Sequence, residues 1–304
     1  MKILVTGGAG FIGSLLVDKL VEENNVVVID NLSSGKKENI NKNANFYELD
    51  ILNHDKLNEI FYKEKPEIVF HLAAQTMLRK SIEDPLYDAK TNILGTISVL
   101  ESCRKNNVAK IIYTSTGGAR VGDPEYLPVD EKHPLNPCSP YGISKHSAEH
   151  YVWMYDKLYG LDHLIFCFGN VYGPRDSPNT KRLVPLFIDM IKREETPKIF
   201  GDGEQTRDFI YVLDLVDFMA NSIKIKPEHR LFHLANGKQI SVNEVFEIIK
   251  EVSGFNREAE YIAKVKGEVR DIVLDISLAK SELGWNPKTE IRNGIKKTWE
   301  WFNR

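Results

Sequence analysis

The sequence predicts an α/β protein whose core is a doubly wound parallel sheet. Short apolar runs rich in β-branched residues alternate with longer segments of helical period over residues 1–170, the pattern of repeated strand–helix–strand units. The runs lack polar alternation, as expected of strands that are buried on both faces. A glycine-rich turn follows the first run directly, where the first helix of such a sheet begins.

Six apolar runs are predicted strands, and four amphipathic segments between them are predicted helices. The strands are residues 3–6, 26–30, 46–49, 68–72, 110–115 and 163–168. The helices are residues 11–21, 54–62, 85–105 and 140–159. We expect these elements to form a first domain, residues 1–170.

The rest of the chain has a different pattern, in which helical segments dominate and Gly- and Pro-rich loops separate them. The predicted helices are residues 183–192, 212–223, 241–252 and 291–302. We expect residues 171–304 to form a smaller, mainly helical lobe, with some chain returning to the sheet.

Composition and charge argue against several classes of function. Hydrophobic residues make up 42% and the net charge is -3, so a sizeable core can form and no global charge favours nucleic acid or an anionic membrane. No apolar run approaches the roughly 18 residues of a membrane-spanning helix, and the apolar start is too short for a signal peptide. Cys103, Cys138 and Cys167 have the spacing of neither a zinc site nor a disulfide framework. The sequence therefore predicts a cytoplasmic protein that needs no metal.

The glycine-rich turn has the spacing of a dinucleotide site. Gly7, Gly10 and Gly13 lie between a strand and a helix, where glycine allows a backbone to approach a pyrophosphate and the helix start, at Phe11 and Ile12, offers free N–H groups. Asp30 ends the next strand, and a carboxylate there accepts from a ribose 2′-hydroxyl and repels a 2′-phosphate, which favours NAD over NADP. The alternative is a glycine turn that only packs the helix on the sheet.

Two further segments extend this predicted site. Small polar residues directly after Asp30 can hold the adenosine ribose and phosphate: Asn31, Ser33, Ser34 and Gly35. Asp50 and Ile51 follow the third strand, where a carboxylate can accept from the adenine amine. For Asp50 the alternative is an ordinary helix N-cap.

Tyr141 and Lys145 are the candidate catalytic pair. They are four residues apart in a predicted helix and therefore share one face. A free tyrosine has a pKa of about 10, and lowering it by about 3 units requires roughly 4 kcal/mol, which a nearby ammonium and an oxidised nicotinamide can supply. The same lysine can hold the nicotinamide ribose. The alternative is a solvated helix face.

A hydroxyl at the end of a strand completes the candidate site. Thr116 is the first choice and Ser115 the second, since either follows a buried run and can hydrogen-bond the reacting oxygen of a substrate. The alternative is a hydroxyl that only caps the strand end.

The chain resembles an extended short-chain dehydrogenase/reductase of the NAD-dependent epimerase/dehydratase family, and most closely its UDP-glucose 4-epimerase-like members. The resemblance covers nearly the whole chain. It rests on Phe70-His71-Leu72-Ala73-Ala74-Gln75, Asn92-Ile93-Leu94-Gly95-Thr96, Ser139-Pro140-Tyr141, Asn170-Val171-Tyr172-Gly173-Pro174-Arg175, Gly201-Asp202-Gly203-Glu204-Gln205-Thr206-Arg207-Asp208-Phe209 and Leu283-Gly284-Trp285.

The resemblance implies a Rossmann domain and roles for individual residues. Those implied to line the NAD site, besides the residues above, are Leu72, Ala73, Ala74, Gln75, Asn92, Ser115 and Phe168. Those implied to contact a nucleotide sugar, besides Thr116 and Tyr141, are Arg79, Asn170, Val184, Arg207 and Arg270. Arginine suits a diphosphate because its planar fork matches phosphate oxygens, although lone arginines such as Arg79 and Arg270 are often surface residues.

The residues after Thr116 bear on the reaction. Related dehydratases carry an Asp-Glu pair there and related decarboxylases a Glu, whereas this chain has Gly117, Gly118 and Ala119. We therefore expect reversible oxidation at C4 through a transient 4-keto sugar, with UDP-glucose and UDP-galactose as the first choice. UDP-N-acetylglucosamine or UDP-glucuronate as substrate, a reductase or dehydratase, and a non-catalytic NAD binder are the alternatives.

Three departures from the family pattern concern the sugar. Arg120 and Val121 replace a Val-Tyr pair, Cys167 replaces an arginine, and Val265 replaces another. One hypothesis is that Arg120 meets the carboxylate of a uronic acid.

Residues 85–105 and 140–159 have more apolar surface than one sheet face needs. The resemblance implies a homodimer formed through these two helices. The alternative is that both are buried against the sheet.

Overall fold

Strand and helix alternate through the first half of the chain. The computed structural model describes residues 1–264 and 269–304. The elements up to the sixth strand are β1 Lys2–Thr6, α1 Phe11–Leu20, β2 Asn25–Asp30, β3 Asn45–Glu48, α2 His54–Glu64, β4 Ile68–His71, α3 Leu78–Glu83, α4 Pro85–Ala89, α5 Gly95–Lys105, β5 Lys110–Thr116, α6 Pro140–Tyr159 and β6 Asp162–Phe168.

Helices and short strands make up the second half. The elements are β7 Asn170–Tyr172, α7 Leu183–Lys192, β8 Lys198–Phe200, β9 Thr206–Arg207, β10 Phe209–Tyr211, α8 Val212–Asn221, β11 Leu231–Leu234, β12 Ile240–Ser241, α9 Val242–Ser253, β13 Glu260–Ile262, α10 Ser277–Leu283 and α11 Ile291–Phe302.

The main sheet has seven strands in the order β11-β6-β5-β4-β1-β2-β3. The pairs β1–β2, β1–β4, β2–β3 and β4–β5 are parallel. The chain moves outward from β1 to β3 and then returns to β4 on the other side of β1, so the strand order reverses between β1 and β4. The carboxyl ends of strands at such a reversal form the crevice where doubly wound sheets bind ligands. The predicted fold class is confirmed.

The chain forms two compact units, each with its own apolar core. One comprises residues 1–122, 135–167 and 216–232, and the other residues 123–134, 168–215 and 233–304. In the first, apolar side chains of the strands pack against α2, α5 and α6. In the second, the core lies among α7, α9 and α11. None of the described helices is long and apolar enough to cross a membrane.

Two helices show how local signals set the boundaries. Helix α6 has the predicted bounds, because the Ser139 hydroxyl accepts from the Gly142 N–H at 3.1 Å at its start and Gly160, with φ +69°, ends it. The segment predicted as one helix over residues 85–105 is helical throughout, and it contains a π-helical turn at Lys90–Leu94 between α4 and α5. A period-based prediction does not detect a single wide turn of this kind.

Candidate active site

The glycine turn after β1 is packed so closely that side chains are excluded from it. Gly7 has φ +73°, and a Cβ there would lie 2.7 Å from the Ala73 nitrogen. A Cβ on Gly13 would lie 2.1 Å from the Gly7 carbonyl oxygen, whereas one on Gly10 would meet only that oxygen, at 3.2 Å. Helix α1 begins at Phe11 without a side-chain cap. The turn therefore brings closely packed backbone to the start of a helix that has no side-chain cap, which fits a pyrophosphate.

Asp30 lies at the end of β2 beside this turn. Its Oδ2 accepts from the Ala9 N–H at 3.0 Å and its Oδ1 from the Leu32 N–H at 2.8 Å. Burial raises the pKa of this carboxyl, and the two N–H groups oppose the rise. Each oxygen keeps acceptor capacity for a ribose hydroxyl, so the carboxylate fits the predicted NAD ribose.

The segment after Asp30 is joined to Asp50. The Asn31 side-chain amide donates to Asp50 Oδ2 at 2.8 Å, and its Oδ1 accepts from the Ser33 N–H. Ser34 and Gly35 continue the same loop, in which a Cβ on Gly35 would lie 3.0 Å from Asp30 Oδ1. The alternative N-cap role of Asp50 is wrong, because Asn53 caps α2 by accepting from the Lys56 N–H. Ile51 is buried.

The loop after β4 is held by a buried polar network. Asn92, in the π-helical turn, accepts from the Gln75 N–H at 2.8 Å and donates to the Gln75 carbonyl at 3.0 Å. Asp88 accepts from the Gln75 amide at 2.7 Å and from the Ser144 hydroxyl at 2.5 Å. The network fixes the backbone of Leu72, Ala73, Ala74 and Gln75 relative to the start of α6. Asp88 is fully buried and was missed in the sequence, where it precedes Asn92 by one helical turn.

Tyr141 and Lys145 lie one turn apart at the start of α6. Tyr141 is in the first turn of the helix, where the partial positive charge of the helix N-terminus favours a phenolate. Lys145 is 4% exposed, and its Nζ lies 4.2 Å from the centroid of the Tyr113 ring on β5. The Tyr113 hydroxyl donates to the Lys145 carbonyl at 3.4 Å. Strand β5 therefore fixes the position of the lysine.

Burial lowers the pKa of Lys145 to about 7, while Glu149, Cys167 and Asp88 oppose the shift. The group therefore changes protonation near neutral pH, so small changes in the surrounding charges alter its state.

The two candidate hydroxyls at the end of β5 have different surroundings. Ser115 is buried and donates to Glu149 Oε1 at 2.5 Å. Thr116 is half-buried, and its Oγ1 accepts from the Ala119 N–H at 3.4 Å. Successive strand residues point to opposite faces, so Ser115 lies on the same face of β5 as Tyr113 and Thr116 lies on the other face. This geometry favours Thr116 as the hydroxyl that remains available to a substrate.

Glu149 is a buried carboxylate that the sequence analysis missed. It lies one turn after Lys145 on the same helix face, which is the signal that would have found it. Besides Ser115, it contacts the Arg120 guanidinium at 3.3 Å and the His146 ring Nδ1 at 3.0 Å.

Arg120 and Cys167, two of the residues that depart from the family pattern, are in contact. The Arg120 Nη1 donates to the Cys167 Sγ at 3.3 Å, and Arg120 is 4% exposed. The hypothesis that Arg120 meets a uronic acid is wrong, because its guanidinium is buried and already paired with Glu149. Val121 is buried, and Val265 lies outside the described residues.

Two of the candidate substrate residues meet in the second unit. Arg207 donates through Nη1 to the Arg270 carbonyl at 3.1 Å. The Arg270 guanidinium forms two bonds to Asp202, at 2.9 and 3.0 Å, and that partner raises its pKa. Asn170 is exposed at the start of β7, beside β10. The arrangement places two arginines and an amide in one unit, although Arg270 already has a carboxylate partner.

Three candidate residues have less direct positions. Val184 is buried in the second core, so only its backbone can face a nucleotide. Phe168 is buried at the end of β6, and Arg79 is exposed on α3.

The chain is similar to known proteins over its whole length. The sequence profile of the GDP-mannose 4,6 dehydratase family matches residues 4–298. A putative UDP-glucose 4-epimerase of Methanocaldococcus jannaschii is 48% identical over 302 residues, covering 99% of this chain and 98% of that protein.

Two crystal structures are close to this fold. That of UDP-glucose 4-epimerase with UDP-glucose from Thermotoga maritima has a TM-score of 0.97 and 43% identity, covering 100% of this chain and 99% of that one. That of the Thermus thermophilus UDP-glucose 4-epimerase complex with NAD has a TM-score of 0.94 and 34% identity, with coverage of 100% and 99%. Fold, site and similarities define the class of extended short-chain dehydrogenases/reductases. Within it, the chain belongs to the UDP-glucose 4-epimerase-like, NAD-dependent epimerase/dehydratase family.

Proposed function

We propose that the chain is an NAD-dependent epimerase that inverts C4 of a nucleotide sugar, with UDP-glucose and UDP-galactose as the first substrate pair. The observation that carries the proposal is the start of α6, where Tyr141 is one turn from a buried Lys145 whose pKa lies near 7. Thr116 ends the adjoining strand, and Gly117, Gly118 and Ala119 after it supply no carboxylate for an elimination. Glu149 does not replace that carboxylate, because Ser115, Arg120 and His146 already bind it.

The glycine turn and Asp30 fit NAD as the cofactor. Bound NAD supplies a hydride acceptor that returns the hydride to the same carbon, so no coenzyme is consumed. Asp30 would bind the adenosine ribose, and the N-terminus of α1 would bind the pyrophosphate. Residues 1–170 are thus proposed to bind the cofactor and residues 171–304 the nucleotide sugar.

The chain's own residues move and stabilise the proton. Tyr141 takes the proton of the 4-hydroxyl while C4 is oxidised and gives it back when the 4-keto sugar is reduced on its other face. Protonated Lys145 and the helix N-terminus stabilise the phenolate. Thr116 donates a hydrogen bond to the sugar oxygen. General acid–base catalysis of this kind typically contributes about 10²–10⁴-fold.

Residues of the second unit are proposed to bind the substrate diphosphate. Arg207 is the first choice because a guanidinium fork matches phosphate oxygens. Asn170 and Arg270 would assist it, the latter by exchanging Asp202 for phosphate. Arg79 is a further candidate.

Incubation without added coenzyme tests the proposed reaction. Purified protein would be mixed separately with UDP-glucose, UDP-N-acetylglucosamine and UDP-glucuronate, and the C4 configuration followed by proton NMR. Inversion of UDP-glucose is expected, and the other two arms identify an alternative sugar. Stoichiometric consumption of NADH or NADPH would instead indicate a reductase, and no inversion in any arm would refute the proposal.

The variant Tyr141→Phe tests the assigned base. Removal of the hydroxyl leaves no group to take the 4-hydroxyl proton, so kcat should fall by about 10³-fold. Bound NAD, measured after denaturation of the purified protein, should stay at the wild-type level. General acid–base catalysis typically contributes about 10²–10⁴-fold, so a kcat within about threefold of wild type would show that another residue is the base.

We also propose that two copies of the chain pair through α4, α5 and α6. Large apolar side chains on α4 and α6 are exposed, including Leu86 at 74%, Leu158 at 62% and Trp153 at 53%. Ile143, Tyr151 and Leu158 recur at a spacing that places them along one side of α6. Exposed large apolar side chains are typical of an interface when they form one patch, and a second copy offers the same side chains in a symmetric dimer.

A further inference from the structure

Buried Ser115, Arg120, Glu149 and Cys167 and half-buried His146 form one connected cluster near Lys145. Glu149 lies at its centre, with Ser115 at 2.5 Å, His146 at 3.0 Å and Arg120 at 3.3 Å. Cys167 closes it, 3.3 Å from Arg120 and 3.9 Å from Glu149. These residues come from β5, the loop after it, α6 and β6, so the cluster ties together the elements that carry the proposed catalytic residues.

We propose that Glu149 and Arg120 form a positioning pair for the proposed reaction, in which Glu149 provides the counter-charge of Lys145 and fixes the end of β5 through Ser115. Arg120 holds the Glu149 carboxylate in place. This inference rests on the proposed function, since it concerns how Lys145 and Thr116 are kept in their working state.

The geometry explains why such a pair is needed. Arg120 and Glu149 are each 4% exposed, and a single buried charge without its partner is strongly unfavourable. Lys145 is itself buried among uncharged groups, the Tyr113 ring on β5 and His71 on β4, whose pKa burial lowers to about 3. The acidic groups that face Lys145 are Glu149, Cys167 and Asp88, and Glu149 opposes the fall of its pKa most.

The variant Glu149→Gln tests the counter-charge. Glutamine keeps one acceptor oxygen for the Ser115 hydroxyl, and it removes the charge together with the oxygen that Arg120 and His146 contact. Lys145 should therefore lose its proton at lower pH. We expect kcat to fall about tenfold at neutral pH, with KM nearly unchanged, and the alkaline limb of the kcat–pH profile to move to lower pH. A loss of activity with an unmoved limb would overturn the proposal, because a purely structural role would not shift a titration.

The partner is tested by Arg120→Met and Arg120→Lys. Arg120→Met should lower kcat about tenfold, and Arg120→Lys, which keeps a cation, should restore most of it. The double variant Glu149→Gln, Arg120→Met should lose no more activity than the worse single variant, because the two residues act as one unit. Additive losses would overturn the pair. The double variant also covers the case in which a single variant does not fold, since removal of both charges costs less than removal of one.

Lys110→Met is the matched control. Lys110 is a buried cation at the opposite end of β5, paired with Asp162 at 3.6 Å and donating to the Ile225 carbonyl at 2.8 Å. Its loss should lower stability and leave the alkaline limb unmoved; a moved limb would show that any lost buried cation shifts the profile, which would overturn the inference. If the wild-type protein shows no epimerisation, the proposed function fails. If it is active and the limb does not move in Glu149→Gln, only the present inference fails.

The pH dependence of unfolding gives a second readout that does not need activity. The free energy of unfolding should begin to rise with pH at a lower pH in Glu149→Gln than in wild type, because Lys145 then loses its proton earlier. An unchanged onset would contradict the assigned counter-charge.

Discussion

At the residue scale, the site depends on groups whose neighbours determine what they can do. Ser115 and Thr116 are adjacent hydroxyls, yet one is held by Glu149 and the other remains half-buried beside Ala119. Lys145 differs from an ordinary lysine because it is buried and its pKa lies near 7. Residue type therefore names the candidates, and burial and partners choose among them.

Thr116→Ala and Ser115→Ala separate the two hydroxyls. Loss of the Thr116 hydroxyl should lower kcat about 100-fold, since it removes a hydrogen bond to the reacting oxygen. Loss of the Ser115 hydroxyl should act through Glu149 and lower kcat about tenfold. Steady-state kinetics with UDP-glucose make the comparison, and a larger effect at Ser115 would reverse the assignment.

The buried Lys145 predicts a pH-dependent stability. Its pKa falls from 10.5 to about 7 on folding, so between these values the unfolded chain binds a proton that the folded chain does not. The free energy of unfolding should therefore rise with pH over this window. Below the window both states are protonated, so the pH dependence from Lys145 disappears and the cost of burying its charge is fully present. Urea unfolding of wild type and Lys145→Met across the window checks this. Equal pH slopes in the two proteins would contradict it.

At the element scale, close packing of turns against strands builds the site. The turn after β1 approaches the loop after β4 so closely that Gly7 tolerates no side chain, and α1 approaches the same turn at Gly13. The π-helical turn between α4 and α5 places Asn92 against Gln75. Such wide turns commonly mark functional sites. Here the π-helical turn fixes a loop of the proposed cofactor site.

Gly13→Ala should disrupt the turn. The new Cβ would lie 2.1 Å from the Gly7 oxygen, so the backbone must shift. The free energy of unfolding should fall by about 2 kcal/mol, and bound NAD should be lost. Gly160→Ala is the control, because φ there is +69° but nothing lies within 4 Å of the added Cβ. It should cost about 1 kcal/mol and leave NAD in place. Retention of NAD by Gly13→Ala would count against the assigned pyrophosphate site.

At the scale of the whole molecule, the exposed apolar side chains of α4 and α6 predict an assembly of two chains. Polar substitutions there should act on association and leave the fold of each chain intact. These side chains belong to helices that also carry or adjoin the proposed catalytic pair, so loss of dimerisation should also reduce activity.

Leu86→Arg combined with Leu158→Arg should give a monomer, because charges placed in an apolar interface oppose pairing. Light scattering coupled to size-exclusion chromatography measures the mass in solution. Tyr62→Arg, at an exposed aromatic on α2 that is 73% exposed, is the matched control and should leave the mass at that of wild type. A wild-type protein that elutes as a monomer would refute the proposed dimer.

The sequence by itself determined the fold class and most elements. Buried strands read as unbroken apolar runs, and Ser139 and Gly160 mark the ends of α6 because capping and left-handed turns are local effects. It also made Gly7, Gly13, Asp30, Tyr141 and Lys145 candidate site residues, since their spacing within one turn or helix is set by local geometry.

Only the tertiary structure decided how distant residues combine. It joined Arg120 to Glu149 and Cys167, bound the Ser115 hydroxyl to Glu149, and buried Val184 and Asp88. These contacts bring together residues from separate strands and helices, and side-chain packing across a sheet leaves no periodic trace in the chain. Local patterns therefore indicated the candidate residues, and long-range packing set the charges around them.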